Sequence, residues 1–280
     1  MDRSSYFVRI GALTTAISAI VTFAVGYYIE WRGFTDLLWS AIGVELLSIL
    51  SVVFLYTTPN DDSIASSSST FIETRQLKSS NRLLSFKGYD LLSCHNQSRQ
   101  QSIHVTLVLC AYIFYFFALS SLSTLLWYLL STPFCWTSKD LGNFSSLSLI
   151  LTAILSIIGM KIFQCAKLHD ALICVFGHLC FFGYALSIAF AKYSWQLYVS
   201  LLMYSFSSYQ ASLTVPMLTK WLNVDKRSQA YTLVTIINTI MLALGSSMFN
   251  WIYARTVSYE KNFTLLLASG LSLIPGLLNL

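Results

Sequence analysis

Charge is what this chain has least of. Only 10% of its 280 residues are Asp, Glu, Lys or Arg, where a soluble domain carries about 25%. Proline and glycine are scarce as well, at four and twelve, so low-complexity sequence does not cause the imbalance. The six cysteines are dispersed, no His, Cys, Asp or Glu cluster has metal-ligand spacing, and no phosphate loop is present. His104, His169 and His178 do not pair at helical spacing with a nucleophile. These absences predict no enzyme, no metal and no cofactor. The basic residues are scattered singly between apolar runs, without a stripe or an aromatic-basic platform, which excludes a nucleic-acid partner.

What the chain has instead is apolar length. Hydrophobic residues make up 55% and mean hydropathy is +0.63. A helix needs roughly 20 apolar residues to cross the hydrocarbon layer. Barrel strands would alternate over about 10 residues, and these runs are longer and continuous. The expected fold is an all-α membrane protein of eight transmembrane helices, at 8–29, 35–56, 104–130, 145–165, 169–190, 195–218, 229–252 and 263–280. The lipid bilayer is therefore the first partner. The segment 57–103 is rich in Ser and charge and is predicted to be a cytoplasmic linker. It separates a two-helix region (1–56) from a six-helix region (104–280). The first span is not a signal peptide. It lacks a small-residue cleavage site, and Tyr27, Tyr28 and Trp31 make an interfacial belt.

Orientation follows from Lys and Arg. With the N-terminus in the cytoplasm, twelve of the seventeen basic residues fall on the inside and five outside. This favours cytoplasmic termini, with the plasma membrane as the expected location. The sequons at Asn143 and Asn262 then face outward and are candidate glycosylation sites. Cys135 becomes the one cysteine on the outer side. It either lacks its partner or is a free thiol.

An ionisable group in the bilayer costs at least ~2.5–3.5 kcal/mol on insertion scales. Glu45 and His178 lie near the middles of their spans and are candidates for proton coupling. The preferred reading is structural: a protonated Glu and a neutral His, each bonded to a neighbouring helix. In the sixth span Ser207, Gln210, Thr214 and Met217 share one helix face, while Ser205, Ser208 and Ser212 form a small-residue face. Gln210, Thr214 and Ser207 are candidate substrate-binding residues, against helix packing or backbone bonding. Asn238, mid-span in the seventh helix, is either pore-lining or structural.

Three stretches carry a family resemblance. "STPFCWTSKDLG" (131–142), "TKWLNVDKRSQA" (219–230) and "FNWIYARTVSYEKNFTLLLASGLSLIP" (249–275) resemble the proton-coupled folate transporter family of the major facilitator superfamily. The resemblance implies an incomplete major facilitator fold with a near-complete C-terminal six-helix bundle. It also implies that the chain starts near the fifth helix of twelve. A partner for Cys135 would lie in the half that precedes it, leaving Cys135 an unpaired outer cysteine. The family's charged or titratable positions align with Thr14, Phe117 and Met217, all uncharged here. Beside them, Thr14 and Ser121 join the candidate substrate-binding residues. Ser121 shares a face with Phe117, Ser120 and Thr124, and Thr14 heads a small-residue stripe with Ser18, Thr22 and Gly26.

The expected function is transport of a small organic solute, with protons, by alternating access, as in a folate-transporter-like solute carrier. The alternative is a truncated or degenerate non-transporting membrane protein that associates with full-length relatives.

Overall fold

The computed structural model describes residues 3–57, 99–222 and 227–279. Most of the linker, with Cys94 and the Asn96 sequon, lies outside the described residues, as does Lys226. Among the described residues ten helices follow one another: α1 Arg3–Arg32, α2 Phe34–Thr57, α3 Arg99–Leu119, α4 Leu122–Leu130, α5 Ser138–Cys165, α6 Asp170–Ala189, α7 Ser194–Ser207, α8 Tyr209–Trp221, α9 Arg227–Thr256 and α10 Phe263–Leu278. Helix is the one element with all backbone bonds internal to the segment, so it suits apolar runs in lipid. Among the described residues five segments are long and apolar enough to cross a membrane: Val8–Arg32, Ser102–Leu130, Ser138–Cys165, Asp170–Ala189 and Ala230–Thr256. The protein is an all-α, multi-pass membrane protein.

The chain divides into two compact units, one of Met1–Tyr27 with Lys87–Leu280 and one of Tyr28–Phe86. In the smaller unit Gly33 has φ +87°, a left-handed turn open to glycine, and α2 follows it. Residues 41–51 of α2 are exposed along every face, Glu45 among them.

In the larger unit α6 packs most extensively on α10 and α7, and α3 packs on α10, α9 and α8. Two apolar clusters fill it. One gathers Leu109, Tyr112, Tyr115, Ile173, Cys174, Tyr209, Leu213 and Leu218. The other gathers Leu125, Tyr128, Trp136, Phe144, Phe181, Tyr184, Leu197 and Leu201. Two apolar runs that hydropathy presents as continuous spans are interrupted between these clusters. The 104–130 run breaks at Ser120–Ser121, and the 195–218 run breaks at Ser208. Pro216 sits inside α8, eight residues past that break.

The serines and threonines of the bundle mostly satisfy themselves. Thr14, Ser18, Thr22, Thr152 and Ser205 each donate to the carbonyl four residues earlier, the usual fate of a hydroxyl in an apolar helix. The stripe on α1 ends in a contact that only glycine permits. A Cβ on Gly26 would lie 2.8 Å from the Gly142 Cα, so the backbones of α1 and α5 touch there.

Candidate functional site

The polar side chains of three helices meet at the level where the apolar clusters divide. His178 on α6 lies between Cys174 of one cluster and Phe181 of the other. Gln210 sits two residues past the α7–α8 break. Both side chains are buried, at 1% exposure each. Thr214, one turn further along α8, donates its Oγ1 hydrogen to the Gln210 backbone carbonyl (2.7 Å) and accepts from Gln210 Nε2 (3.1 Å). Thr214 thereby fixes the amide: Nε2 toward Thr214, Oε1 toward α6 and α10. Gln210 Oε1 then accepts from Asn279 Nδ2 at 3.1 Å and faces His178 Nε2 at 3.2 Å.

His178 Nε2 faces both the Gln210 Oε1 acceptor at 3.2 Å and the Asn279 Nδ2 donor at 3.3 Å, so it donates to the first in one tautomer and accepts from the second in the other. Nδ1 is buried and has no hydrogen-bond partner among the described residues. The ring is packed edge-on to Tyr115, centroids 5.6 Å apart. The group is thus an amide–imidazole–hydroxyl chain with one ring nitrogen left unpartnered. A buried polar atom without a partner costs about 1–3 kcal/mol, so this nitrogen is the site's chemically distinctive feature.

Of the residues singled out from the sequence, the structure joins Gln210, Thr214 and His178. The others lie elsewhere. Ser207 is buried and donates to its own helix at the Tyr204 carbonyl (2.7 Å). Ser121 is buried at the start of α4, where its carbonyl accepts from Thr124 Oγ1. Thr14 is exposed on α1. Asn238 is half-buried on α9, and its Oδ1 is buried without a partner. Glu45 belongs to the smaller unit. Met217 contacts Cys174, sulfur to sulfur at 3.9 Å. Among the described residues no group of three His, Cys, Asp or Glu could hold a metal.

Asn279 is the member of the network that the sequence reading missed. At the end of an apolar run an Asn reads as a helix stop, and it does cap α10, its backbone N–H donating to Pro275. The usable signal was Pro275 and Gly276. Gly276 packs beside His178, whose Cβ would lie in ordinary contact, 3.6 Å, from a Cβ built there.

The α4–α5 connection, which carries the most specific part of the resemblance, is folded tightly. Trp136 is buried among Phe134, Phe144 and Tyr198, and its Nε1 donates to Ser194 Oγ at 3.3 Å. Thr137 and Asp140 form a capping box at the start of α5. Lys261 reaches across from the α9–α10 loop to Thr132 Oγ1 at 2.6 Å. Cys135 is exposed and unpaired among the described residues, with φ +49°. Asn143 and Asn262 are both half-buried, in the second turn of α5 and at the start of α10.

Comparison with known proteins agrees with that loop. Over 267 residues, 92% of the chain, it is 27% identical to the lysosomal proton-coupled steroid conjugate and bile acid symporter SLC46A3 of Gallus gallus. The chain is thus similar to solute carrier 46 transporters. The Homo sapiens protein of the same name is 24% identical over 264 residues, 93% of the chain. The proton-coupled folate transporter of Rattus norvegicus is 23% identical over 259 residues, 90% of the chain. These alignments cover 54%, 55% and 52% of the relatives, so the chain spans about half the length of the curated relatives it matches. No protein-family model matches the chain. In this chain the polar network from Thr214 through Gln210 to His178 and Asn279 is the candidate site.

Proposed function

We propose that the chain contributes to a secondary transporter that moves a small organic solute by alternating access, coupled to protons. The observation that carries this reading is the alignment of over nine-tenths of the chain with proton-coupled symporters. The geometry supports it. Two spans are interrupted at the level of a buried polar layer, the kind of discontinuity that secondary transporters place near their binding sites. The network contains no carboxylate, guanidinium or ammonium, so it would hold solute by neutral hydrogen bonding through Gln210, Thr214 and Asn279. Ser207, Ser121, Asn238 and Thr14 remain secondary candidates for solute contact. The unused His178 Nδ1 is the proposed proton acceptor, and Glu45 is the lesser candidate. The SLC46A3 relatives are lysosomal by name, so for this chain we favour the lysosomal membrane over the plasma membrane. Both termini remain assigned to the cytoplasm.

The test is uptake into proteoliposomes carrying the 280-residue chain, at acidic and at neutral external pH. The probes are a steroid sulfate, a bile acid and a folate. Saturable uptake of one probe, stimulated by acid, is expected. His178→Gln keeps a donor toward Gln210 but removes the basic nitrogen, so it should abolish the acid stimulation and retain exchange at neutral pH. No uptake of any probe by correctly inserted protein overturns the reading. The result would then favour a non-transporting membrane protein that associates with longer relatives. The observation on that side is that Gln210 and Thr214 already satisfy each other.

A further inference from the structure

One cavity among the described residues has no part in this network. It opens at the other end of α6 from Ala189, between the end of α5, the start of α6, the end of α8 and the start of α9. Its volume is about 570 Å³, within the range of small-molecule sites. Ile173 and Pro216 are among its apolar lining residues, and Lys167, Asp170, Lys220 and Arg227 supply its charges.

Among the described residues the charges do not balance: three cations face one carboxylate. Asp170 is already paired with Lys220. Arg227 is the start of α9, and its Nε is buried without a hydrogen-bond acceptor among the described residues. A guanidinium N–H shut away from water without an acceptor is costly, and natural proteins rarely leave one so. Lys167 adds a second anomaly. The Leu168 N–H donates to the Phe163 carbonyl at 3.1 Å, which ends α5 in a Schellman turn. Lys167 holds that turn's left-handed position, φ +54°, where glycine is the usual residue. A lysine kept at a glycine position puts a cation on the rim. The N-terminus of α6 opens beside it, and the preceding His169 makes no side-chain cap bond. The positive end of that helix dipole adds to the field. Cations that outnumber carboxylates among the described residues, an unsatisfied guanidinium Nε and room for a polar ligand all ask for the same thing: an anion with several acceptor oxygens.

We propose that this cavity binds a phosphomonoester. The chemistry is shared by a phosphorylated lipid headgroup and a soluble organic phosphate, and a guanidinium with two ammonium groups suits its three oxygens. The cavity lies where the apolar stretches of α5, α6 and α8 end, which is headgroup depth for a lipid. The site is independent of the transport reading, and its test needs no transport.

The experiment measures binding to the full chain by microscale thermophoresis in detergent and by co-flotation with phosphatidylcholine vesicles. The probes are inositol monophosphate, short-chain phosphatidylinositol 4-phosphate, and phosphatidylinositol, which lacks the monoester. Preference for the monoester over phosphatidylinositol is expected. Binding of the lipid monoester alone assigns the site to a headgroup, and equal binding of inositol monophosphate assigns it to a soluble phosphate. Either outcome supports the proposal. Arg227→Gln should weaken binding about tenfold or more. Lys167→Glu, at an exposed residue that leaves the fold intact, should do at least as much. Asp170→Asn should tighten binding, because it removes the carboxylate that competes for Lys220. Absence of monoester preference overturns the proposal. So does binding that Lys167→Glu leaves unchanged.

Discussion

The two ends of the α3–α10 segment are built on opposite plans. At the Trp136 end the polar groups of the loops are partnered within the chain. Trp136 donates to Ser194, Thr137 and Asp140 cap α5, Lys261 reaches Thr132, and Lys139 lies over the Tyr27 ring at 5.0 Å. At the Lys167 end cations outnumber carboxylates around a cavity, and a buried guanidinium nitrogen has no partner among the described residues. The first plan is that of a structural cap, in which the loop polar groups offset one another and the unpartnered buried atom among the described residues is Asn250 Oδ1 in α9, beside Trp127 and Ser131. The second leaves donors unmet inside the protein, as a site for something outside it does. Substitutions should therefore act on stability at one end and on binding at the other, and each prediction below probes that division.

The largest expected effect is Trp136→Ala. The ring is buried among Phe134, Phe144 and Tyr198. Truncating such a side chain costs about 3 kcal/mol or more, so unfolding in detergent should show a sharply lowered midpoint. An unchanged midpoint would mean that the cap does not hold this end together. Gly142→Val comes next. A Cβ at Gly142 would lie 2.9 Å from the Gly26 Cα, and the atom it meets is backbone. The helices must separate, and overpacking of this kind costs about 2 kcal/mol. The matching Gly26→Val should cost about as much, whereas Gly43→Val, with nothing within 4 Å, should be silent.

Much of this architecture could be read from the residues before any coordinates. Apolar length alone located the spans because lipid demands an internally bonded backbone. Gln210 and Thr214 stood out because an amide and a hydroxyl one turn apart on an apolar helix need partners. The helix breaks were not legible. Hydropathy averages across Ser120–Ser121 and Ser208, and a serine is equally at home bonded to its own helix, as Ser205 and Ser207 are. Asn279 was missed because its partners are 69 and 101 residues away in sequence, a distance that no helical periodicity spans. The cationic cavity was hidden for the same reason. Lys167, Lys220 and Arg227 each read as an ordinary loop charge until the fold brings three segments together.

A smaller effect is expected of Thr137→Ala. Its Oγ1 accepts from the Asp140 N–H at 3.3 Å, and Asp140 Oδ2 accepts from the Thr137 N–H at 3.0 Å. Loss of such a cap costs about 1 kcal/mol. Thr137→Ser keeps the oxygen and should recover most of the stability, which separates capping from packing of the Thr methyl. The thiol of Cys135 provides a check on the same end without perturbing it. An exposed cysteine that is unpaired among the described residues should react with a maleimide without prior reduction. Reaction only after reduction would show a partner outside those residues.

The smallest expected change in stability is at the other end, and it is the most informative. Lys220 pairs with Asp170, but its side chain is 61% exposed. An ion pair so open to water contributes about 0–1 kcal/mol. Lys220→Ala should therefore leave the unfolding midpoint nearly unchanged, in contrast to Trp136→Ala. If the cavity is an anion site, the same substitution weakens phosphomonoester binding, because it removes one of three cations. It also removes the cation that offsets the Asp170 charge. A large fall in stability with no change in binding would instead make Lys220 a structural strut like Lys261, and the difference between the two ends would disappear. Raising the salt concentration separates these outcomes further. Screening acts over about 8–10 Å at moderate ionic strength, so it should weaken ligand binding strongly and leave the partnered Trp136 end unaffected.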